Sequence, residues 1–242
     1  MSIQDDIAQW LKGYAAAAGA DGFVVGLSGG VDSATSAALA VKAVGCNEVL
    51  GALLPCHSHA LDARLAHEVA NTFGVPTVSV ELDEAFNALM ESLPETEHPL
   101  AAANIKPRLR MISLYYLAQM HNYLVLGSGN KTELMVGYFT KYGDGGVDLL
   151  PLGDLYKTEV WDLARALGVP TEVVERPPSA GLWPGQTDEG ELGITYRELD
   201  EVLMAIEAGE TDGVAPATLA RVQGLIASSE HKRAMPPIFK RC

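Results

Sequence analysis

The run Gly26-Leu27-Ser28-Gly29-Gly30-Val31-Asp32-Ser33 collects the residue types that grip an anion. Two adjacent glycines let the backbone turn sharply and bring its N–H groups against phosphate oxygens, and a helix that follows offers its positive N-terminal end. Ser28 and Ser33 would add hydroxyl donors, and Asp32, a hard oxygen ligand beside the phosphates, could hold Mg²⁺. The Walker pattern GxxxxGK[ST] does not fit, because no lysine precedes Ser33, so γ-phosphate transfer is not the chemistry this loop suggests first. Taken alone, the same run also reads as a glycine-rich turn from strand to helix with an aspartate capping the helix.

The rest of the charge pattern bears on the ligand. With 31 Asp plus Glu against 17 Lys plus Arg and a formal net charge of −14, the surface repels a nucleic-acid backbone. To bind a polyphosphate, the chain must concentrate its few cations. Lys106, Arg108, Arg110, Lys131, Lys141 and Lys157 gather in its middle third, as a site or as a scatter of solvated charges.

Hydrophobic periodicity supplies the frame. Ile3, Ile7, Trp10, Leu11 and Tyr14 recur at spacings of three and four, the stripe of an amphipathic helix over 3–18. FVVGL (23–27), VLGALLP (49–55), TVSVEL (77–82) and YLVLGSG (123–129) read as strands. Helices are expected over 32–44, 62–73, 83–93 and 107–120, then over 155–167, 195–208 and 215–228. Strands that are apolar throughout and alternate with helices predict an α/β fold with a doubly wound parallel sheet and right-handed crossovers. Ligands of such sheets collect beyond the carboxyl ends of the strands, where SGGVDS and GSGNKTE lie. A single domain over 1–242 with one core follows: an N-terminal helix (1–20), a nucleotide-binding core (22–170), and a part (171–242) made of a Pro/Gly-rich mobile loop at 175–190 and C-terminal helices.

The composition, 48% hydrophobic and 20% charged, is that of an ordinary globular protein. No apolar run approaches the roughly 18 residues of a membrane span, and MSIQDDIAQW lacks the basic start of a secretory signal. A cytoplasmic location is expected. Cys46, Cys56 and Cys242, an odd count without a close pair, are expected as free thiols.

SGGVDS resembles the pyrophosphate-binding loop of the N-type ATP pyrophosphatases, which cleave ATP to AMP and pyrophosphate. Asn104 to Met111, GSGNKTE (127–133), Gly137 to Gly145, Asp148, LYKTEVWDLA (155–164), PSAGLWPGQTDEGELG (178–193) and His231-Lys232-Arg233 are similar, in order, to blocks of the ammonia-dependent NAD synthetase family. The resemblance covers residues 23–233. It implies an adenine nucleotide alpha hydrolase-like fold and the amidation of deamido-NAD to NAD with ATP and ammonia, through an acyl adenylate. It also implies that residues 26–33, Ser128, Lys157 and Ser179 hold ATP, and that Asp32 and Glu133 share Mg²⁺. Arg108, Lys141, Asp148, His231 and Lys232 would hold deamido-NAD, and Asp188 or Glu189 would bind ammonium and accept its proton. The family further implies a homodimer; the stripe of Met111, Leu114, Tyr115 and Leu117 on one helix fits an interface element or packing in its own core. No segment resembles a glutaminase domain.

Duller readings stand beside these. Lys141 and Asp148 would also serve as a surface ion pair, and Arg110 as part of a solvated face. Cys56-His57-Ser58-His59 departs from the family and fits adenine lining, a plain loop or a nonstandard metal site. Pro107 suits only the first turn of its helix. Another amide- or thiol-forming ATP pyrophosphatase, or a silent nucleotide-binding regulator, would share the glycine loop.

Overall fold

The computed structural model describes residues 2–183 and 185–241. Helix α1 (Ile3–Ala18) leads into β1 (Gly22–Gly26), α2 (Val31–Val44), β2 (Val49–Leu53), α3 (Ala60–Phe73), β3 (Thr77–Ser79) and α4 (Asp83–Ser92). Then come α5 (Pro99–Ala103), α6 (Ile105–His121), β4 (Tyr123–Leu126) and α7 (Lys131–Val136). The helices α8 (Lys157–Leu167), α9 (Thr171–Glu175), α10 (Asp188–Leu192), α11 (Tyr196–Ala208) and α12 (Pro216–Arg233) complete the chain.

The four strands are parallel in the order β3-β2-β1-β4. The chain therefore winds outward from β1 to β3 and returns on the other side of β1 at β4. That reversal opens a crevice at the carboxyl ends of β1 and β4, the place where doubly wound sheets bind ligands. The glycine loop leaves β1 there, and GSGNKTE leaves β4.

Strand residues alternate between two covered faces, which is why the strands read as apolar throughout. Phe23, Val25, Val49 and Leu53 pack with Leu11 of α1, Leu39 of α2, Leu65 of α3 and Val160 of α8. Val24, Ala52 and Val125 face the other way, against Leu117 and Ala118 of α6 and Phe86 of α4. A third cluster joins α7, α11 and α12 through Val136, Tyr196, Leu199, Leu203 and Val222. The core expected as one is thus laid out in three, with Trp161 of α8 packed against both the first and the third.

Pro107 lies in the first turn of α6, where a backbone N–H has no partner within the helix, so it is accommodated. The expected loop at 175–190 narrows to residues 176–187, because α9 ends at Glu175 and α10 begins at Asp188. Among the described residues, no helix is long and apolar enough to cross a membrane.

Candidate active site

The glycine loop is held open by its own hydroxyls. Ser28 Oγ and Ser33 Oγ are 3.0 Å apart, the Gly30 N–H donates to Ser28 Oγ at 3.2 Å, and Ser33 Oγ donates to the Gly30 carbonyl at 3.0 Å. Gly29 has φ of 77°, and a Cβ there would stand 2.6 Å from the Asp62 carbonyl of α3. Only glycine fits both the conformation and the space. Gly30 caps α2, so the helix directs its free N–H groups into the same turn.

Four side chains distant in sequence meet beside this loop. Lys157 Nζ, at the start of α8, donates to Asp32 Oδ2 at 2.5 Å and to Glu133 Oε1 at 3.4 Å. Asn130, fully buried, donates to Asp32 Oδ1 at 2.9 Å, while its own N–H donates to Glu133 Oε2 at 3.2 Å. Glu133 therefore closes the capping box of α7 and faces the site at once. Tyr196 of α11 completes the ring: its hydroxyl donates to Asp188 Oδ2 at 3.0 Å and lies 3.5 Å from Glu133 Oε1, and its ring lies 4.9 Å from Lys157 Nζ. Asp188 also accepts from Tyr138 Oη at 3.2 Å and from the Ala180 N–H at 2.9 Å.

Burial and charge set the protonation of this group. Burial pushes the Glu133 carboxyl up to about 8 in spite of the Lys157 ammonium. Asp188 is likewise pushed up by burial, against the pull of the Lys157 ammonium and the hydroxyls of Tyr196 and Tyr138. Burial disfavours the Lys157 ammonium, but the carboxylates of Asp32 and Glu133 reverse that effect and hold the lysine charged.

Among the residues expected on the nicotinate nucleotide, a basic group forms at a second location. Arg108 Nη2 donates to the Lys141 carbonyl at 3.3 Å, Lys141 Nζ donates to the His231 carbonyl at 2.6 Å, and Lys232 Nζ donates to the carbonyls of Gly137 and Phe139 at 2.8 and 2.9 Å. Gly137 must be glycine, because a Cβ would fall 2.0 Å from Ser229 Cβ of α12. Asp148 joins neither group: it accepts from Tyr115 Oη at 3.0 Å and from the Val125 N–H at 2.8 Å. The surface pair of Lys141 with Asp148 is absent from the ion pairs of the described residues.

Other expectations change with the structure in view. Arg110 is not part of a solvated face, because its side chain folds inward, Nε donating to the Leu54 carbonyl at 3.0 Å and Nη2 to Ser58 Oγ at 3.2 Å. Lys131 turns away to pair with Glu207 and Asp154. The Ser179 hydroxyl donates to the Gln186 carbonyl at 2.8 Å, within its own loop. Ser128 follows β4 at the carboxyl end of the sheet. The His57 ring nitrogens face Asn87 at 2.9 Å and Asp83 at 3.4 Å, and Cys56 is buried. Cys46 and Cys56 are free, while Cys242 lies outside the described residues.

Sequence reasoning missed Tyr138, Tyr196 and Asp200. Asp200, 1% exposed, has no cation and accepts from Thr132 Oγ1 at 2.5 Å, Thr158 N at 2.9 Å and Thr158 Oγ1 at 2.8 Å. Thr132 in turn accepts from the Lys157 N–H at 3.0 Å. Asp200 thus ties α11 to the residues flanking Glu133 and Lys157. In sequence Tyr196 and Asp200 look like ordinary members of an amphipathic helix and Tyr138 like a loop residue after α7, so only tertiary packing reveals them.

Comparison with known proteins agrees with this arrangement. The sequence model of the family described as NAD synthase matches residues 3–236. A protein of Archaeoglobus fulgidus named NH(3)-dependent NAD(+) synthetase is 48% identical over 240 residues, 98% of this chain and 96% of that one. An NMN synthetase structure from Francisella tularensis superposes with a TM-score of 0.90 at 37% identity, covering 98% of each chain. An NH3-dependent NAD synthetase structure from Campylobacter jejuni gives 0.86 at 26% identity, again covering 98% of each. A glycine loop at the topological switch point, a buried lysine between two carboxylates, and likeness over nearly the full length converge: the chain belongs to the NAD synthase family.

Proposed function

We propose that this chain amidates deamido-NAD to NAD with ATP and ammonia, passing through an NAD-adenylate and releasing AMP and pyrophosphate. The observation that carries the reading is the buried Lys157 bridging Asp32 and Glu133 directly beside an anion-binding glycine loop. A carboxylate does not react with an amine, so its oxygen must first attack the α-phosphorus of ATP. Charge then builds on the departing pyrophosphate, and stabilising it is mainly a matter of position and electrostatics.

In this reading residues 26–33 hold the ATP phosphates through backbone N–H groups and the hydroxyls of Ser28 and Ser33, with Ser128 and Ser179 lining the nucleotide. Lys157 holds the phosphates from the other side. Asp32 and Glu133 meet across the Lys157 ammonium beside the loop, with Asp32 Oδ1 and Glu133 Oε2 held by Asn130. Two carboxylates are the donor set that Mg²⁺ takes when phosphates and water fill its other positions. Bound there, the ion would supply charge neutralisation on the phosphates. Arg108, Lys141, Lys232 and His231 would bind the phosphates of deamido-NAD, and Asp148 its hydroxyl groups. Asp188, with its raised pKa, would hold ammonium and take its proton before the amine attacks the adenylate.

The exposed side of α6 supports a homodimer. Ile112, Tyr116 and Met120, spaced four apart, are 59%, 67% and 62% exposed. This is not the set expected from sequence, since Leu117 is buried and Leu114 packs against the second core cluster. Free Cys46 and Cys56 fit a reducing, cytoplasmic setting.

The likeness to the Francisella tularensis NMN synthetase favours a second reading, in which the nicotinate mononucleotide is the substrate amidated. One experiment tests both. Pyrophosphate release from Mg-ATP is followed with deamido-NAD, nicotinate mononucleotide and ammonium each added or omitted, and products are resolved by chromatography. Release that needs deamido-NAD, with NAD formed only when ammonium is present, is the expected result. Preference for the mononucleotide would shift the substrate, and cleavage independent of both would remove the assignment.

A further inference from the structure

Helix α6 carries two cations one turn apart, Lys106 and Arg110, that make no direct ion pair among the described residues. Lys106 is 9% exposed; its Nζ donates to the Leu182 carbonyl at 3.0 Å and lies 5.7 Å from the centre of the Phe86 ring. Arg110 spends Nε and Nη2 on the Leu54 carbonyl and the Ser58 hydroxyl. Neither is among the ion pairs of the described residues, although the chain has 31 acidic side chains. A guanidinium has five N–H donors. Arg110 Nη1 makes no hydrogen bond among the described residues, and since no buried side-chain nitrogen there lacks a partner, Nη1 is not sealed from solvent.

Like charges at this spacing repel each other, and both stand near the positive end of a 17-residue helix. Burial also works against the Arg110 charge. Asp62 and Asp144 offset part of the Arg110 charge from a distance, but no carboxylate of the described residues pairs directly with either cation, and holding two such cations is costly unless an anion visits them.

Their position says which anion. Leu54 and Ser58 follow the carboxyl end of β2, and Leu182 belongs to the loop that leads to Asp188. The base of that loop is tied to the glycine loop by Arg176, which donates to Asp62 Oδ1 at 2.5 Å and to the Gly29 carbonyl at 3.5 Å. The two cations therefore border the same crevice as the glycine loop. We infer that Lys106 and Arg110 form a further anion subsite, which takes a phosphate group of a bound nucleotide. This rests on the nucleotide-ligase reading above and extends it. ATP and the nicotinate nucleotide both carry the required chemistry. Because an ammonium has three donors, Lys106 can hold Leu182 and a phosphate oxygen together, joining the 176–187 loop to the ligand.

The test is titration calorimetry of the full chain with ATP, deamido-NAD and nicotinate mononucleotide separately, at low and high salt, for the wild type, Lys106→Gln, Arg110→Gln and Arg110→Lys. The expected result is a loss of about 10- to 100-fold in affinity for one nucleotide in both glutamine variants, the size of a hydrogen bond to a charged group. Salt sensitivity should weaken in both, and Arg110→Lys should recover part of the affinity. The nucleotide that loses affinity identifies the source of the phosphate. If Arg110→Gln does not fold, Lys106→Gln and Arg110→Lys decide by the same readings. Affinities within twofold of wild type for all three nucleotides in folded variants would overturn the subsite and leave the ligase reading standing. A wild type that binds none of them would overturn both.

Discussion

The two charged regions of this protein solve opposite problems. Beside the glycine loop, Lys157 is buried between Asp32 and Glu133, and charge is balanced by charge. Around α6 and α12, Lys106, Arg108, Arg110, Lys141 and Lys232 donate instead to backbone carbonyls of Leu182, Lys141, Leu54, His231 and Gly137. Carbonyls satisfy the N–H donors and orient them, while Asp144 and Asp62 offset only part of the charge of Lys232 and Arg110, and from a distance. The first region is organised before ligand arrives; the second keeps a positive potential in a chain of net charge −14.

Breaking the balanced region should cost most. Lys157→Ala leaves two carboxylates facing each other without a cation. It should destabilise the fold by about 3–5 kcal/mol and reduce NAD formation to background, measured by denaturant unfolding and chromatography. Retained turnover would show that the lysine is only structural. Asp32→Asn and Glu133→Gln keep the shape and replace each carboxyl by an amide that cannot ionise. Turnover should fall by about 10²- to 10³-fold in both, with the melting temperature lowered in Asp32→Asn, which takes the nearest counterion from the buried Lys157, and nearly kept in Glu133→Gln; wild-type turnover at low Mg²⁺ would remove their proposed metal role. Asp200→Asn sets an amide against three donors, and should lower kcat by about 10- to 100-fold with KM for ATP little changed. A change confined to stability would make Asp200 a packing residue only.

The partly compensated region should respond more mildly and mainly through binding. Lys141→Gln and Lys232→Gln should each raise KM for deamido-NAD by about tenfold and flatten its salt dependence, with kcat held. Equal losses in kcat would place these lysines in the chemistry instead. The smallest effect is one of pH on the metal-free protein. The Glu133 carboxyl is raised to about 8 in the folded state, so its contribution to stability is complete below the ordinary carboxyl range and is lost as pH rises through about 8. The melting temperature should fall by a few degrees between about pH 5 and pH 8.5, and Glu133→Gln should flatten that slope. An unchanged slope would mean that Glu133 ionises normally.

The contrast also shows where sequence reading reached its limit. The six cations of the middle third looked alike, and Arg110 looked the most dispensable. The structure turns Arg110 inward to Leu54 and Ser58, sends Lys131 out to Glu207 and Asp154, and buries Lys157 between Asp32 and Glu133. Alternating charge along a helix gives each residue a bearing, but what stands opposite depends on the element packed there.

Resemblance to a family singled out Glu133 and Lys157; by itself, the sequence determined the strands and longer helices, the glycine loop at the carboxyl end of β1, and the place of Asp32 beside it. These follow from interactions within a few residues: apolar periodicity, the backbone freedom of Gly29 and Gly30, and turns that end a strand. Tertiary structure alone decided that Asp32 and Lys157, 125 positions apart, share a hydrogen bond. It also decided that Tyr196 and Asp200 on α11 brace that pair, and that the cations of α6 and α12 face carbonyls rather than carboxylates. The physical reason is that those partners are fixed by how α8 and α11 dock on α2 and α7, and side-chain packing between distant segments leaves no periodic trace in the chain.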